Sequence, residues 1–237
     1  MRVIFPPSEE MRLVREFLAG RPQGYFVDVG ANDPVVDSQS YHLEQIGWTG
    51  ILVEPQPDLA EKLRATRKAK VFACACGAPD DDGKMMRLHV AGVFSSFDPA
   101  LMVTGVEAQH AVDVSVRSLD GILAECEAPV PLDLLSIDVE GFELEVLRGF
   151  DLARWRPRLI LLEDHVGDLR KHAYMKAHGY RLMRRTGLNA WYVPAGEAPD
   201  PGLRGRWELL RKYYLALPFR KLRDAKRRLR DRWRKSR

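Results

Sequence analysis

Along the first 195 residues, short apolar runs alternate with amphipathic stretches of helical spacing. Tyr25–Gly30, Gly50–Pro55 and Lys70–Cys76 each carry a run of the length and composition of a buried strand. Pro131–Asp138 and Arg158–Glu163 repeat the pattern further on. Between them lie segments with helical periodicity. Asp37–Gly47 is one, with Asp37 as its expected cap. Asp58–Arg67 is another, with Asp58 as cap and Leu59 and Leu63 one turn apart. Phe142–Phe150 and Leu169–His178 complete the set, the latter ended by Gly179. Strand–helix alternation of this kind predicts βαβ units and a parallel sheet.

Two regions depart from that rhythm. Residues 78–117 read as an insertion, with a turn at Asp80–Gly83 and strand-like segments at Met85–Val90 and Ala111–Val116. Tyr180–Arg184 and Ala190–Val193, joined by Thr186–Asn189, predict a terminal antiparallel hairpin. Pro194–Gly205 is rich in Pro and Gly and reads as a linker. Beyond it, Leu203, Trp207, Leu210, Tyr214 and Leu217 recur at spacings of four and three, one face of a helix. Pro218 interrupts, and Leu222, Ala225, Leu229 and Trp233 continue a narrower stripe. The expected division is a domain over 1–202 and a basic helical tail over 203–237.

Composition sharpens this division. The chain has 237 residues, 46% of them apolar, and a net charge of +4, which is ordinary for a globular protein. The small net charge conceals an asymmetry. Residues 203–237 hold 15 Lys/Arg against 3 Asp/Glu, a net +12. Residues 1–202 hold 22 against 30, a net −8. The pI near 9.0 therefore describes neither part. Three cysteines, with no CxxC pair, suggest a reducing compartment. The first ten residues do not resemble a signal peptide, and no apolar run approaches membrane-spanning length. The expected location is cytoplasmic, with the tail as a candidate contact to the inner face of a membrane.

The chemistry gathers where strands end. Val27–Asp33 closes a strand with Asp28, turns at Gly30 and continues through Asn32. Glu54, 24 residues past Gly30, closes the next strand, about where a ribose-binding acid sits in a nucleotide-binding α/β sheet. A single glycine disfavours a pyrophosphate cradle, so a nucleoside without pyrophosphate fits better than a dinucleotide. Asp138 follows a run apolar enough to be buried and needs a partner there. Glu163-Asp164-His165 closes the following strand. In a parallel sheet, Asp138, Glu163 and Asp164 converge on one edge, where three carboxylates repel unless a cation or a shared proton joins them. Oxygen ligands of this type suit Mg²⁺. His165 titrates in the range of a general base. Glu143 and Glu145 fall in a first helical turn, where the helix dipole favours acids. Cys74 and Cys76 read as buried, unreactive thiols.

These segments together resemble the FkbM-type S-adenosylmethionine-dependent methyltransferases. The resemblance is carried by Phe26–Ser38, Gly47–Pro55, Ser95-Ser-Phe97 and Leu135–Gly149, and spans roughly residues 24–193. It implies a class I methyltransferase fold: an α/β, Rossmann-like, mostly parallel sheet of seven strands with helices on both faces and the last strand antiparallel. It implies S-adenosylmethionine, with Asp28, Gly30 and Asn32 around its methionine part, Ser38 and Pro55 nearby, and Glu54 on the ribose hydroxyls. Such enzymes typically O-methylate sugars or polyketides. The acidic set Asp138, Glu163 and Asp164 is similar to the Mg²⁺ site of macrocin-type sugar methyltransferases. Two positions depart from the family: Phe142 stands where His is frequent, and Ala190 where Asp is frequent.

The resemblance implies in-line transfer to an oxygen, with Asp138 or His165 as the base and a sugar or glycan as acceptor. A polyketide, lipid or peptide hydroxyl is the alternative acceptor. A non-catalytic, cofactor-binding assembly module is the alternative function. A nucleic-acid acceptor is disfavoured, because the −8 domain repels a polyanion and no Asn-Pro-Pro-Tyr or Asp-Pro-Pro-Tyr motif is present. The tail has three readings: a solvated basic helix, a helix on anionic lipid, or a surface for oligomerisation or partner docking.

Overall fold

A computed structural model describes residues 8–92, 95–97, 108–196, 202–222 and 226. Seven strands form one sheet: β1 (Tyr25–Val29), β2 (Thr49–Val53), β3 (Lys70–Phe72), β7 (Leu134–Ile137), β8 (Leu159–Glu163), β9 (Tyr180–Thr186) and β10 (Asn189–Pro194). Their order is β3-β2-β1-β7-β8-β10-β9. The pairs β1–β2, β1–β7, β2–β3 and β7–β8 are parallel, and β9–β10 is antiparallel. This is the expected seven-stranded, mostly parallel architecture. The chain separates into two compact units, Met1–Glu163 and Asp164–Arg237.

In the first unit the central strands are apolar because both faces are covered. Val27, Ile51, Leu52, Leu134, Leu135, Ile160 and Leu162 are all fully buried. Asp133, just before β7, accepts from the Tyr25 amide at 3.0 Å and pairs with Arg21 at 2.9 Å. That contact fixes the start of β1 against the start of β7. An N-terminal helix, α1 (Glu9–Phe17), is capped by Ser8. Its Arg15 donates to the His42 ring nitrogen at 3.0 Å and to the His42 carbonyl at 2.7 Å. Burial and that guanidinium push His42 down to about 4, so it stays neutral.

Several local expectations are corrected. The segment 37–47 shortens to α2 (Tyr41–Glu44). Asp37 lies in the left-handed region at φ 57° and is no cap, and the preceding turn is closed by Asp33, which accepts from the Val35 and Val36 amides. Helix α3 (Pro57–Thr66) starts at Gln56 with Pro57 in its first turn, not at Asp58. The run Lys70–Cys76 is two strands. After β3 the chain leaves the main sheet, and β4 (Ala75–Cys76) pairs in parallel with β6 (His110–Arg117). β6 in turn pairs with β5 (Met85–Val90) as the expected hairpin, making a second, three-stranded sheet β4-β6-β5. Its core is Leu88, Val90, Val114 and Val116. Helix α4 (Leu119–Glu125) was not foreseen. The segment after Asp138 holds α5 (Glu143–Arg148) and a separate short α6 (Leu152–Trp155).

The second unit holds α7 (Arg170–Ala177), the β9–β10 hairpin and α8 (Gly202–Leu209), which continues as a π-helical segment over Leu210–Leu215. Residues 217–222 are helical again, so Pro218 lies within a helical segment. The predicted stripe positions Ala225, Leu229 and Trp233 lie outside the described residues. Among the described residues, no helix is long and apolar enough to cross a membrane.

Candidate functional site

The site forms where β1, β2 and β7 end together. Gly30 adopts φ 84°, and a Cβ there would lie 1.8 Å from the Asp138 carbonyl oxygen. Only glycine meets both demands. The Gly30 and Ala31 amides both donate to the Val53 carbonyl, and the Asp138 amide donates to the Val29 carbonyl. Backbone hydrogen bonds thus tie the three strand ends to one another.

A cavity of about 320 Å³ opens at this edge, in the size range of small-ligand sites. Asp28, Gly30, Asn32, Ser38, Glu54, Pro55 and Asp138 all line it. Glu54 is buried, and its two oxygens accept from the Asn32 and Gln56 amides at 2.9 Å each. Burial raises its carboxyl pKa and the two amides draw it back. A carboxylate offers about four acceptor positions. Two remain for donors of a ligand, a good match to a vicinal diol. Burial likewise raises Asp28, which accepts from the Ser40 hydroxyl at 2.6 Å.

Sequence reasoning missed the group that holds this loop. The Arg67 side chain is fully buried. Its Nε donates to Glu44 at 3.2 Å, and its terminal nitrogens donate to Ser38 Oγ, Ser40 Oγ and the Pro34 carbonyl at 3.2, 3.0 and 3.3 Å. Glu44 also accepts from the Lys68 and Ala69 amides. The Arg67 guanidinium lies 5.3 Å from the Tyr41 ring centroid. A basic residue closing an amphipathic helix gave no sign of this in the sequence.

Asp138, also lining the cavity, meets other acids. Burial first, then the charges of Glu163 and Glu140, push its carboxyl up to about 8. Glu140 also lines the cavity and sits at φ 51°, a left-handed conformation that costs a non-glycine residue. Glu143 is buried and accepts from the Gly141 amide at 2.8 Å, while Glu145 pairs with Arg148. Phe97 and Phe142 pack at 5.2 Å between ring centroids and line the same cavity. Ser95, placed by its hydrogen bond from the Ala91 amide, lines it too. Cys74 and Cys76 form part of the wall. Burial pushes Cys74 up to about 11 and Cys76 well above the usual thiol value, so both stay protonated.

Two predicted residues sit differently. In the second unit, the Asp164 carboxylate accepts from the Val166 amide at 2.8 Å and the Tyr213 hydroxyl at 2.9 Å, and lies 3.7 Å from Arg185 and 3.8 Å from Lys171. These partners, all within its own unit, engage both oxygens of the Asp164 carboxylate. His165 is exposed and is not among the cavity-lining residues.

The family model for the methyltransferase FkbM domain matches residues 28–182, nearly two thirds of the chain. No curated protein matches the sequence significantly. Among solved structures, M. capricolum TrmK in complex with the natural cofactor product S-adenosyl-homocysteine is similar at 8% identity. That match covers 80% of this chain and 68% of that one, with a TM-score of 0.41.

Proposed function

The chain belongs to the FkbM methyltransferase family, and on that premise we propose that it methylates a sugar or glycan hydroxyl, using S-adenosylmethionine and Asp138 as the proton acceptor. One observation carries this reading. Gly30, Glu54 and Asp138 line one cavity at one sheet edge. The first two suit a nucleoside ligand, and the third suits proton abstraction beside it.

When bound, S-adenosylmethionine supplies an already activated methyl group to an oxygen nucleophile. Glu54 would hold its ribose hydroxyls with the two acceptor positions that Asn32 and Gln56 leave open. The Gly30–Asn32 backbone would face its methionine part, with Ser38 and Pro55 completing the wall. The chain then has to place the acceptor oxygen and take its proton. A carboxylate of ordinary pKa is a weak base toward a hydroxyl. Burial and the charges of Glu163 and Glu140 make Asp138 a stronger one. The Asp138 and Glu140 carboxylates offer acceptors for several hydroxyls, and Phe97 and Phe142 offer apolar surface for ring C–H groups. That combination favours a polyol over a polyketide.

Isothermal titration and a methyl-transfer assay test the reading together. The wild type should bind S-adenosylmethionine, and Glu54→Ala should weaken binding by roughly tenfold or more. Asp138→Asn should bind it as tightly as the wild type and transfer nothing. Mass spectrometry across a panel of glycan, polyketide, lipid and peptide hydroxyls should place the methyl group on the glycan. Full transfer by Asp138→Asn would sink the base assignment, and transfer only to a non-sugar hydroxyl would sink the acceptor.

A further inference from the structure

The sequence stripe of the tail predicts a face but not which way it turns. In the second unit, Tyr213 is the residue turned inward. It is 1% exposed, donates to Asp164 at 2.9 Å, accepts from Arg185 at 2.8 Å and packs 5.1 Å from the His172 ring centroid. Leu217, one turn on, is also buried. The stripe itself faces away. Leu203 is 87% exposed, Trp207 58% and Phe219 76%, and Leu210, Tyr214, Leu215 and Leu222 are each about half exposed. Leu217, expected on the stripe, belongs to the anchored face instead.

These seven side chains follow one another at spacings of four, three, four, one, four and three residues, and the segment 210–215 among them winds in wider i→i+5 turns. The result is seven exposed apolar side chains within twenty residues of helical backbone. Single exposed apolar residues are ordinary, but so dense a run of them, with Trp, Tyr, Phe and Leu among them, marks a surface that is covered in use. Arg206, Arg211 and Lys221 are exposed on the same helices. The sequence from 203 onward carries 15 Lys/Arg against 3 Asp/Glu.

We propose that the Leu203–Leu222 face docks on the surface of an anionic lipid bilayer, with Trp207, Tyr214 and Phe219 seated at the headgroup boundary and the surrounding Lys/Arg on acidic headgroups. The pairing of features selects this occupant. A basic helix that binds a soluble polyanion has no need to present leucines and phenylalanine to solvent. A second copy of this tail would bring +12 against +12. An anionic membrane satisfies both halves at once: hydrocarbon for the apolar face and negative potential for the basic residues. The helix would lie in the interface plane, in keeping with the absence of a described helix able to span.

Co-sedimentation of the full-length chain with vesicles tests the proposal. Vesicles of phosphatidylcholine containing a minor fraction of phosphatidylglycerol should bind roughly tenfold or more protein than phosphatidylcholine alone, and added salt should weaken that binding. The double variant Trp207→Ser, Phe219→Ser removes only exposed side chains. It should keep the wild-type melting temperature and S-adenosylmethionine affinity while losing most vesicle binding. Equal sedimentation with neutral and anionic vesicles would overturn the proposal. So would a double variant that binds vesicles as well as the wild type. Sedimentation velocity without lipid, and competition by a tRNA, provide the other arms. A concentration-dependent dimer abolished by the double variant, or displacement from vesicles by tRNA that the double variant does not alter, would replace the bilayer with a second copy or a nucleic acid.

Discussion

Each unit buries one arginine against one carboxylate, and the two networks end in different places. In the first, Arg67 and Glu44 have side chains 0% and 3% exposed and meet at 3.2 Å. In the second, Arg185 and Asp164 are 4% and 3% exposed and lie 3.7 Å apart. Arg67 spends its remaining donors on Ser38, Ser40 and the Pro34 carbonyl, all in the loop beside the cavity. Arg185 spends its own on the Tyr213 hydroxyl and the Leu188 carbonyl. A buried ion pair adds little net stability, because desolvation offsets attraction, but it is costly to break once formed. The difference therefore lies in what each pair holds still: a ligand loop in one unit, and the helix bearing an exposed apolar face in the other.

The largest expected effect comes from breaking the first network. Arg67→Ala leaves Glu44 buried with its charge uncompensated and should cost about 3–5 kcal/mol in urea unfolding. It also releases Ser38 and Ser40, and with Ser40 the hydroxyl on Asp28. S-adenosylmethionine affinity should fall along with stability. Arg67→Lys keeps the charge but not the fork that reaches both serines. It should recover more stability than affinity. Equal recovery of both would reduce the network to scaffolding with no part in shaping the cavity.

That network shows where sequence reading stops. The strands β1, β2, β7 and β8 were legible because apolar residues on both faces leave no other place for those runs. Gly30, Glu54 and Asp138 were legible because a parallel sheet brings its strand ends to one edge. Arg67 was not, since its partners lie 23 to 33 residues away and only the folded loop aims them at it. The split of Lys70–Cys76 was hidden for a related reason. Ala73 and Cys74 are small enough to continue a strand, and only pairing with Val116 draws Ala75 into another sheet. The partners of Asp164 were hidden too, because adjacency to Glu163 says nothing about where a side chain points. The same limit applied to the tail, where periodicity marks a face without saying whether protein or solvent meets it.

A second test sets the cavity's unpaired-in-charge acid against the compensated ones. Folding raises the Asp138 pKa, so the folded chain holds a proton that the unfolded chain has released between the ordinary carboxylate range and the raised value. Stability contributed by this group is therefore present at low pH and is lost as pH rises through that interval. Asp138→Asn removes the ionisation and should raise stability by about 1–2 kcal/mol at alkaline pH, with little change in acid, while abolishing transfer. The wild-type rate should climb with pH as Asp138 loses its proton. A thermal melt series across pH, run on both proteins, checks the sign. A variant less stable than wild type at alkaline pH would mean that Asp138 is compensated in its charged form.

The smallest effect belongs to the second network. Tyr213→Phe keeps the ring against His172 but deletes the hydroxyl that donates to Asp164 and accepts from Arg185. Asp164 keeps the Val166 amide and both basic neighbours, so the loss should be near 1 kcal/mol and not the full cost of a stranded charge. Its consequence should be confined to the unit that contains it. S-adenosylmethionine affinity should match the wild type, because Tyr213 is not among the cavity-lining residues. Hydrogen exchange should quicken over 202–222, where the helix has lost part of its anchor. Arg67→Ala should show the reverse pattern, with faster exchange in the loop 31–40 and none of the change in the tail. If both substitutions loosened both segments, the two networks would have to be read as one cooperative system.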